Sequence, residues 1–178
     1  MSIAEPSSTE RLGRLFDLHH RRLYGLARRL SRDAEEARDL VQESFFRAAR
    51  RAGSIPSTDS GAEAWLVRTL VNLCRDKSRR DAVRRRAAET VLADSGAPPA
   101  SPESALVAGA AIRAALTRLP ARRRAAVVLH ELEGLPVQEV ARVLGIAQVT
   151  VRWHLMAARK DLAVELAPLA LEQQETKR

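Results

Sequence analysis

Residues 137–159 read VQEVARVLGIAQVTVRWHLMAAR, and this stretch decides the fold of the C-terminal part of the chain. Its apolar spacing predicts a short helix, a sharp turn at Gly145 and a second helix that buries Val151 and Leu155. Ala141 is small where the two helices would cross closely. The pattern is typical of a helix-turn-helix. A helical hairpin with no role in DNA binding is the alternative.

The second helix of this pair carries polar side chains in its first turns, where a helix-turn-helix reads base edges, and cations at its far end, suited to phosphates. The candidate base-reading residues are Gln148, Thr150, Arg152 and His154. The candidate phosphate-binding residues are Arg159 and Lys160.

Outside this stretch the chain is dominated by Ala, Leu, Arg and Glu, and no sustained period-two alternation is present, so we expect an all-α fold. Residues 94–104, DSGAPPASPES, contain three of the eight prolines and no large apolar side chain. They predict a flexible linker. The expected organisation is two small helical domains, residues 1–80 and 105–178, separated by a linker over residues 81–104.

Both predicted domains are basic. The 178-residue chain has a formal net charge of +8, with 16 basic and 11 acidic residues in 1–80 and 11 basic and 7 acidic residues in 105–178. Two basic modules on a tether fit a long polyanion that is bound at two places. Solvated, arginine-rich surfaces without such a partner are the alternative.

The N-terminal domain should begin with a helix over residues 9–30, and Asp33 with Glu36 predicts the cap of a second helix that ends near Gly53. One face of this second helix should pack in the core through Ala37, Val41, Phe45 and Ala48. An outward stripe at spacings of three, four and seven is formed by Asp39, Gln42, Glu43 and Phe46. A polar stripe with a large aromatic side chain suggests protein docking, and an ordinary solvated helix face is the alternative.

A third helix should follow a cap formed by Ser60 and Glu63. Its buried side is expected to contain Trp65, Leu66, Thr69, Leu70 and Leu73. Its exposed stripe is expected to contain Arg68, Asn72, Arg75 and Arg79, whose side chains suit phosphates and base edges. The loop before it, residues 52–60, could hold an unstacked base with Trp65 beneath it. A plain interhelical turn over a core tryptophan is equally compatible with the sequence.

Several function classes are excluded by what the sequence lacks. No run of eighteen apolar residues suggests a membrane span, and the polar N-terminus does not resemble a secretory signal. Cys74 is the only cysteine, which excludes an intramolecular disulfide or a cysteine-cluster zinc site and predicts a small buried apolar side chain. No metal-ligand or catalytic constellation is recognisable. We therefore expect a cytoplasmic protein that is not an enzyme, with no metal and no cofactor.

Three segments in this order resemble bacterial RNA polymerase sigma factors of the extracytoplasmic-function type. They are residues 39–48, DLVQESFFRA, residues 64–76, AWLVRTLVNLCRD, and the helix-turn-helix at residues 137–159. The resemblance implies that the N-terminal domain binds the β′ clamp helices of core RNA polymerase and melts the −10 promoter element. It also implies that the C-terminal domain reads the −35 element as duplex and contacts the β flap.

The resemblance also assigns roles to single residues. It implies core-polymerase docking by Asp39, Gln42, Glu43 and Phe46. It implies contacts to the −10 element by Trp65, Arg68, Asn72, Arg75, Arg79 and Arg80, with the loop over residues 52–61 capturing a flipped base. It implies contacts to the −35 element by Gln148, Thr150, Arg152, His154, Arg159 and Lys160.

The expected function is therefore that of a dissociable subunit that directs RNA polymerase to promoters and initiates transcription. The implied partners are core polymerase, promoter DNA and an anti-sigma factor. The alternative is a helix-turn-helix regulator that binds duplex DNA without polymerase. The family often has arginine where this chain has His154 and Ala157.

Overall fold

The structure, a computed structural model, describes residues 8–89 and 104–175, and no strand occurs in these two ranges. The prediction of an all-α fold is confirmed. The α-helices are α1 (Ser8–Leu30), α2 (Ala34–Arg50), α3 (Asp59–Glu89), α4 (Ser104–Arg118), α5 (Ala121–Val127), α6 (Val137–Leu144) and α7 (Gln148–Glu175). The chain divides into two compact units between Cys74 and Arg75, and each unit is described by itself.

The first unit is built on the pair α1 and α2, which are joined by a tight, capped connection. The Asp33 side chain accepts a hydrogen bond of 2.7 Å from the Glu36 N–H, and the Glu36 carboxylate accepts one of 2.9 Å from the Arg32 N–H. These bonds satisfy donors that a helix start leaves open, as the sequence predicted. The hydroxyl of Ser31 donates to the Ala27 carbonyl at 2.7 Å, which fixes the end of α1.

The core of the first unit is formed by apolar faces of three helices. The four α2 residues predicted to face inward are buried, and so is the predicted leucine face of α3. Buried core residues include Leu23, Leu26, Ala37, Val41, Phe45, Leu66, Leu70 and Leu73. Cys74 is also buried.

The start of α3 differs from the prediction. The helix begins at Asp59, so Ser60 lies within its first turn, and the hydroxyl of Thr58 accepts the Gly61 N–H at 3.2 Å. The predicted Ser60 and Glu63 cap is therefore wrong. Helix α3 then continues to Glu89, into the first part of the predicted linker, and residues 90–103 of that linker lie outside the described residues.

In the second unit, α4 ends at Arg118, shortly before Pro120, and the buried Arg124 connects the end of α4 to α5. The guanidinium of Arg124 donates to the Thr117 carbonyl at 2.7 Å and to the Leu119 carbonyl at 3.2 Å. These are carbonyls that the end of α4 leaves without helical partners. Helix α5 continues into a π-helical turn, Val128–Leu132, in which the Glu133 N–H donates to the Val128 carbonyl at 3.0 Å.

Helices α6 and α7 form the predicted helix-turn-helix. Gly145 has φ 64° and ψ 41°, a left-handed conformation that strains other residues, and the Ile146 N–H donates to the Ala141 carbonyl at 3.1 Å. Val151 and Leu155 are buried, as is Ala141. Helix α7 continues to Glu175, well beyond the predicted end at Lys160.

Candidate functional site

The outward stripe of α2 exists as predicted. Asp39, Gln42 and Phe46 are exposed, whereas Glu43 is half-buried and accepts a hydrogen bond of 2.9 Å from the Arg47 side chain. Phe46 is 56% exposed, and the Arg50 guanidinium lies 5.7 Å from its ring centroid. A large aromatic side chain held in solvent among polar neighbours is an arrangement suited to docking another protein. The docking role itself stays a prediction.

The loop between α2 and α3 is fixed by a residue that the sequence did not single out. The guanidinium of Arg11, in α1, donates to the Ile55 carbonyl at 3.1 Å and also to the Pro56 carbonyl. Ile55 is buried beneath the loop. A Cβ at Gly61 would lie 2.7 Å from the Pro56 Cβ, so only glycine fits this close approach. The loop is therefore held at Ile55 and Pro56, by Arg11 on one side and by the close approach of Gly61 on the other.

A cavity of about 160 Å³ lies behind this loop. Its lining consists of Arg11, Leu12, Leu15, Ala48, Ala52, Gly53 and Ile55. The predicted loop over residues 52–61 thus has a recess on its inner side and a cation at the edge of that recess.

The predicted stripe of α3 is only partly exposed. Arg68, Arg79 and Arg80 are exposed, and Trp65 and Asn72 are half-buried. The half-exposure of Trp65 fits neither a fully buried core tryptophan nor a free stacking surface. The exposed arginines of α3 nonetheless form a row of cations along one helix, and such a row suits a nucleic-acid backbone.

Arg75 differs from the rest of the predicted stripe. It is half-buried, and within the second unit its guanidinium donates to the Leu144 carbonyl at 2.9 Å. Burial lowers the pKa of Arg75 from its ordinary value, the positive charge of Arg122 lowers it further, and Asp76 opposes both effects. This hydrogen bond uses one of the five N–H donors of the Arg75 guanidinium and ties the side chain to the turn after α6.

The exposed face of α7 contains more residues than the sequence predicted. The predicted residues Gln148, Arg152, Arg159 and Lys160 are exposed, and Thr150 is half-buried. Sequence reasoning missed three exposed apolar residues on this face, namely Val149, Trp153 and Met156. The signal that could have found them is the spacing of four and three residues, which keeps side chains on one side of a helix.

The prediction that His154 lies on the base-reading face is wrong. The side chain is only 8% exposed, and its Nδ1 atom has no hydrogen-bond partner in the structure. A separation of two residues places His154 on the opposite side of α7 from Arg152, so both cannot face one groove. Burial lowers the pKa of His154, and the positive charges of Arg122 and Arg123 lower it further.

Several arginines on this unit form ion pairs with carboxylates, and two of them, Arg159 and Arg123, lie beside the exposed face of α7. The Arg159 guanidinium donates two hydrogen bonds to one oxygen of Glu131, at 3.0 and 2.6 Å, and Arg123 donates to Asp161 at 2.7 Å. Exposed ion pairs of this kind contribute little to stability, about 0–1 kcal/mol each. Arg159 can therefore exchange its carboxylate for a phosphate at low cost.

Among the residues that the structure describes, no group of three His, Cys, Asp or Glu side chains could hold a metal ion. Within the same residues no helix is both long enough and apolar enough to cross a lipid bilayer.

Two protein families match the chain, one over each of the regions that contain these surfaces. Residues 15–85 match the family Sigma-70 region 2, and residues 109–162 match Sigma-70, region 4. The first match contains the α2 stripe, the loop over residues 52–61 and most of α3. The second contains the helix-turn-helix.

Individual proteins give the same result. The chain is 38% identical over 149 residues to the ECF RNA polymerase sigma factor SigM of Mycobacterium tuberculosis, covering 84% of this chain and 74% of the relative. It is 32% identical over 174 residues to the RNA polymerase sigma-H factor of Pseudomonas aeruginosa, covering 89% and 90%. Its structure is similar to that of the sigma factor RpoE from Bartonella quintana, solved in complex with the anti-sigma factor NepR. That similarity has a TM-score of 0.68 at 26% identity and covers 87% of this chain and 96% of that chain.

Proposed function

The chain belongs to the extracytoplasmic-function (ECF) group of RNA polymerase sigma factors, and from this membership we propose how its surfaces divide the work of initiation. It binds core RNA polymerase, carries it to promoters and assists opening of the DNA. The region 2 part, within residues 1–80, docks on polymerase and acts at the −10 element. The region 4 part, within residues 105–178, acts at the −35 element.

The observation that carries this proposal is the presence, in one chain, of an exposed docking stripe and a helix-turn-helix. A regulator that acts on duplex DNA alone needs only the second. The α2 stripe presents Phe46 with Asp39 and Gln42 to solvent, which supports a protein partner for this unit. The alternative of a regulator that works without polymerase leaves this stripe unused.

We assign opened DNA to the first unit and intact duplex to the second. The α3 residues and the loop over residues 52–61 combine cations with a recess, which suits a displaced strand and an unstacked base. The helix-turn-helix presents Gln148 and Arg152 in the first turns of α7, which is where such a helix enters the major groove. Arg159 and Lys160 then contact phosphates.

Further parts of the proposal concern partners and place of action. The chain acts by binding and carries out no covalent chemistry. It works in the cytoplasm, where polymerase and promoters are found, and an anti-sigma factor is its regulator. The RpoE structure, a complex with the anti-sigma factor NepR, supports this last assignment.

Transcription in vitro tests the proposal. Core polymerase, the purified chain and promoter fragments from the source genome are combined, and RNA starts and permanganate reactivity of unpaired thymines are measured. We expect specific starts and a reactive segment just upstream of each start only when both proteins are present. Protection of a duplex site by the chain alone, with no RNA synthesis when polymerase is added, would overturn the proposal in favour of the regulator.

A further inference from the structure

The centre of the exposed face of α7 is apolar. Val149, Trp153 and Met156 are 69%, 50% and 63% exposed, and they follow one another at spacings of four and three residues. These spacings place them in one row on the helix surface, called here the apolar row. At 1.5 Å per residue the row extends over about 10 Å, the length of about three base pairs. Gln148 and Arg152 lie along one side of it.

The tryptophan of this row is held in a fixed position. The Arg123 guanidinium lies over its ring, 5.2 Å from the centroid, and Arg123 is itself paired with Asp161 at 2.7 Å. The buried His154 ring meets the indole edge to face, with centroids 5.0 Å apart and an interplanar angle of 64°. The indole is thus held by two neighbouring side chains and exposed elsewhere. A side chain that is already ordered loses little conformational entropy when it binds.

In the major groove, the apolar group that a base pair presents is the 5-methyl group of thymine. We infer that the apolar row reads thymine methyl groups in the upstream promoter element, beside hydrogen bonds made by Gln148 and Arg152. This inference rests on the proposed function and adds the kind of base contact to it. It predicts that the element contains thymines, on either strand, within about three adjacent base pairs.

The charges around the row favour DNA as its occupant. Arg152 and Arg159 lie along the side of the row and Lys160 continues its line one turn beyond Met156, so an apolar centre is bordered by cations suited to phosphates. The row also begins in the first turn of the second helix of a helix-turn-helix, the part that enters the groove. A protein partner for the same row is the competing outcome in the test below.

Replacing thymine by uracil tests the inference, because uracil lacks the methyl group and keeps the same hydrogen-bonding edge. Holoenzyme assembled from core polymerase and this chain first selects promoters from a library randomised in the upstream element. The selected promoter is then made with uracil only inside the element or, as a matched control, only in the flanking duplex. We expect binding to fall about fourfold for each methyl group that is lost inside the element, and to be unchanged by flanking uracil.

Two substitutions of similar size connect this effect to the row. V149T and M156Q make the side chains polar and nearly preserve their volume, and both positions are exposed, so the helix should be retained. The double variant keeps Trp153, and the threonine of V149T keeps one γ-methyl group, so the variant should discriminate between the thymine and uracil elements clearly less than the original chain does. V164T is the control, because Val164 is 71% exposed on α7 beyond the row, and it should discriminate as the original chain does.

The outcomes separate this inference from the function on which it rests. If holoenzyme initiates normally and uracil inside the element has no effect, the methyl contact is wrong and the function stands. If V149T with M156Q retains the discrimination but loses binding to an anti-sigma protein, the row serves that protein and the inference is overturned. If no library member supports initiation, the proposed function itself fails.

Discussion

Helices α3 and α7 present different chemistry to solvent. Between Ala64 and Arg80, no large apolar side chain is exposed on α3, and cations occupy much of that surface. On α7, exposed apolar side chains occupy the centre of the face, and cations border it. A polar, cationic surface can follow a backbone whatever its sequence, whereas an apolar centre is suited to a groove floor that presents methyl groups. The difference supports the proposal that α3 and α7 bind DNA in two different forms.

The largest expected effect is on the affinity for core polymerase. Q42A together with F46A removes the centre of the α2 stripe, and an aromatic side chain at the centre of an interface contributes about 2 kcal/mol or more to binding. Affinity for core polymerase should fall at least about 30-fold, measured by co-purification and titration. L18A is the control, since Leu18 is 61% exposed on α1 and lies outside the stripe. Equal losses in both variants would contradict a specific docking surface.

The next effect sharpens the contrast between the two helices. R152A should weaken binding to the upstream duplex by about 1–3 kcal/mol if this side chain contacts a base, and should have little effect on a template with a preformed bubble. N72A should show the reverse pattern, with duplex binding retained and permanganate reactivity reduced. The same profile for both variants would mean that α3 and α7 do not divide the DNA as proposed.

A smaller effect is expected at the loop over residues 52–61. R11M removes the guanidinium that donates to the Ile55 and Pro56 carbonyls and keeps most of the side-chain volume. Hydrogen bonds from charged groups contribute about 1.5–3 kcal/mol, so opening of the promoter should fall about 10-fold or more while affinity for core polymerase is unchanged. R14M provides the control from an exposed arginine of the same helix. Normal opening in R11M would show that the loop does not need this anchor.

The smallest effect concerns pH and the buried His154. Because the pKa of this histidine is lowered in the folded chain, the unfolded chain takes up its proton first on acidification. Stability should therefore fall as the pH drops below the ordinary histidine value of about 6.5, and should level off below the lowered pKa. H154Q should reduce this slope in thermal unfolding, whereas H20Q, at an exposed histidine, should retain it. An unchanged slope in H154Q would assign the pH dependence to other groups.

Sequence reasoning succeeded where the helical period was applied. The spacing of three, four and seven placed Gln42 and Phe46 on one exposed face of α2, and Val41 and Phe45 in the core. It failed on α7, where the candidate residues were selected because their side chains are polar and not by the helical period. Thr150 and His154 alternate with Gln148 and Arg152, and a step of two residues rotates a helix position to nearly the opposite side.

Other features had no local signal. Arg11 and the loop carbonyls that it binds are separated by 44 or 45 positions in the chain, so no short motif connects them. At the start of α3, Thr58 and Ser60 are both good capping residues. In the structure Thr58 is the residue that caps the helix, and Gly61 packs closely against Pro56 and Thr58 there. The π-helical turn also had no local signal, and its last residue, Leu132, is apolar in type but 46% exposed.

The π-helical turn affects how the residues before it are rotated relative to α6 and α7. A π-helical turn contains one backbone hydrogen bond that spans five residues instead of four, so it acts as an extra residue within a helix. Each residue of an α-helix rotates the chain by about 100°. Removing one residue from Val128–Leu132 would therefore rotate everything before it, Arg123 included, by about that angle relative to α6 and α7. We therefore expect the length of this turn to determine which arginine of α5 lies over the Trp153 ring.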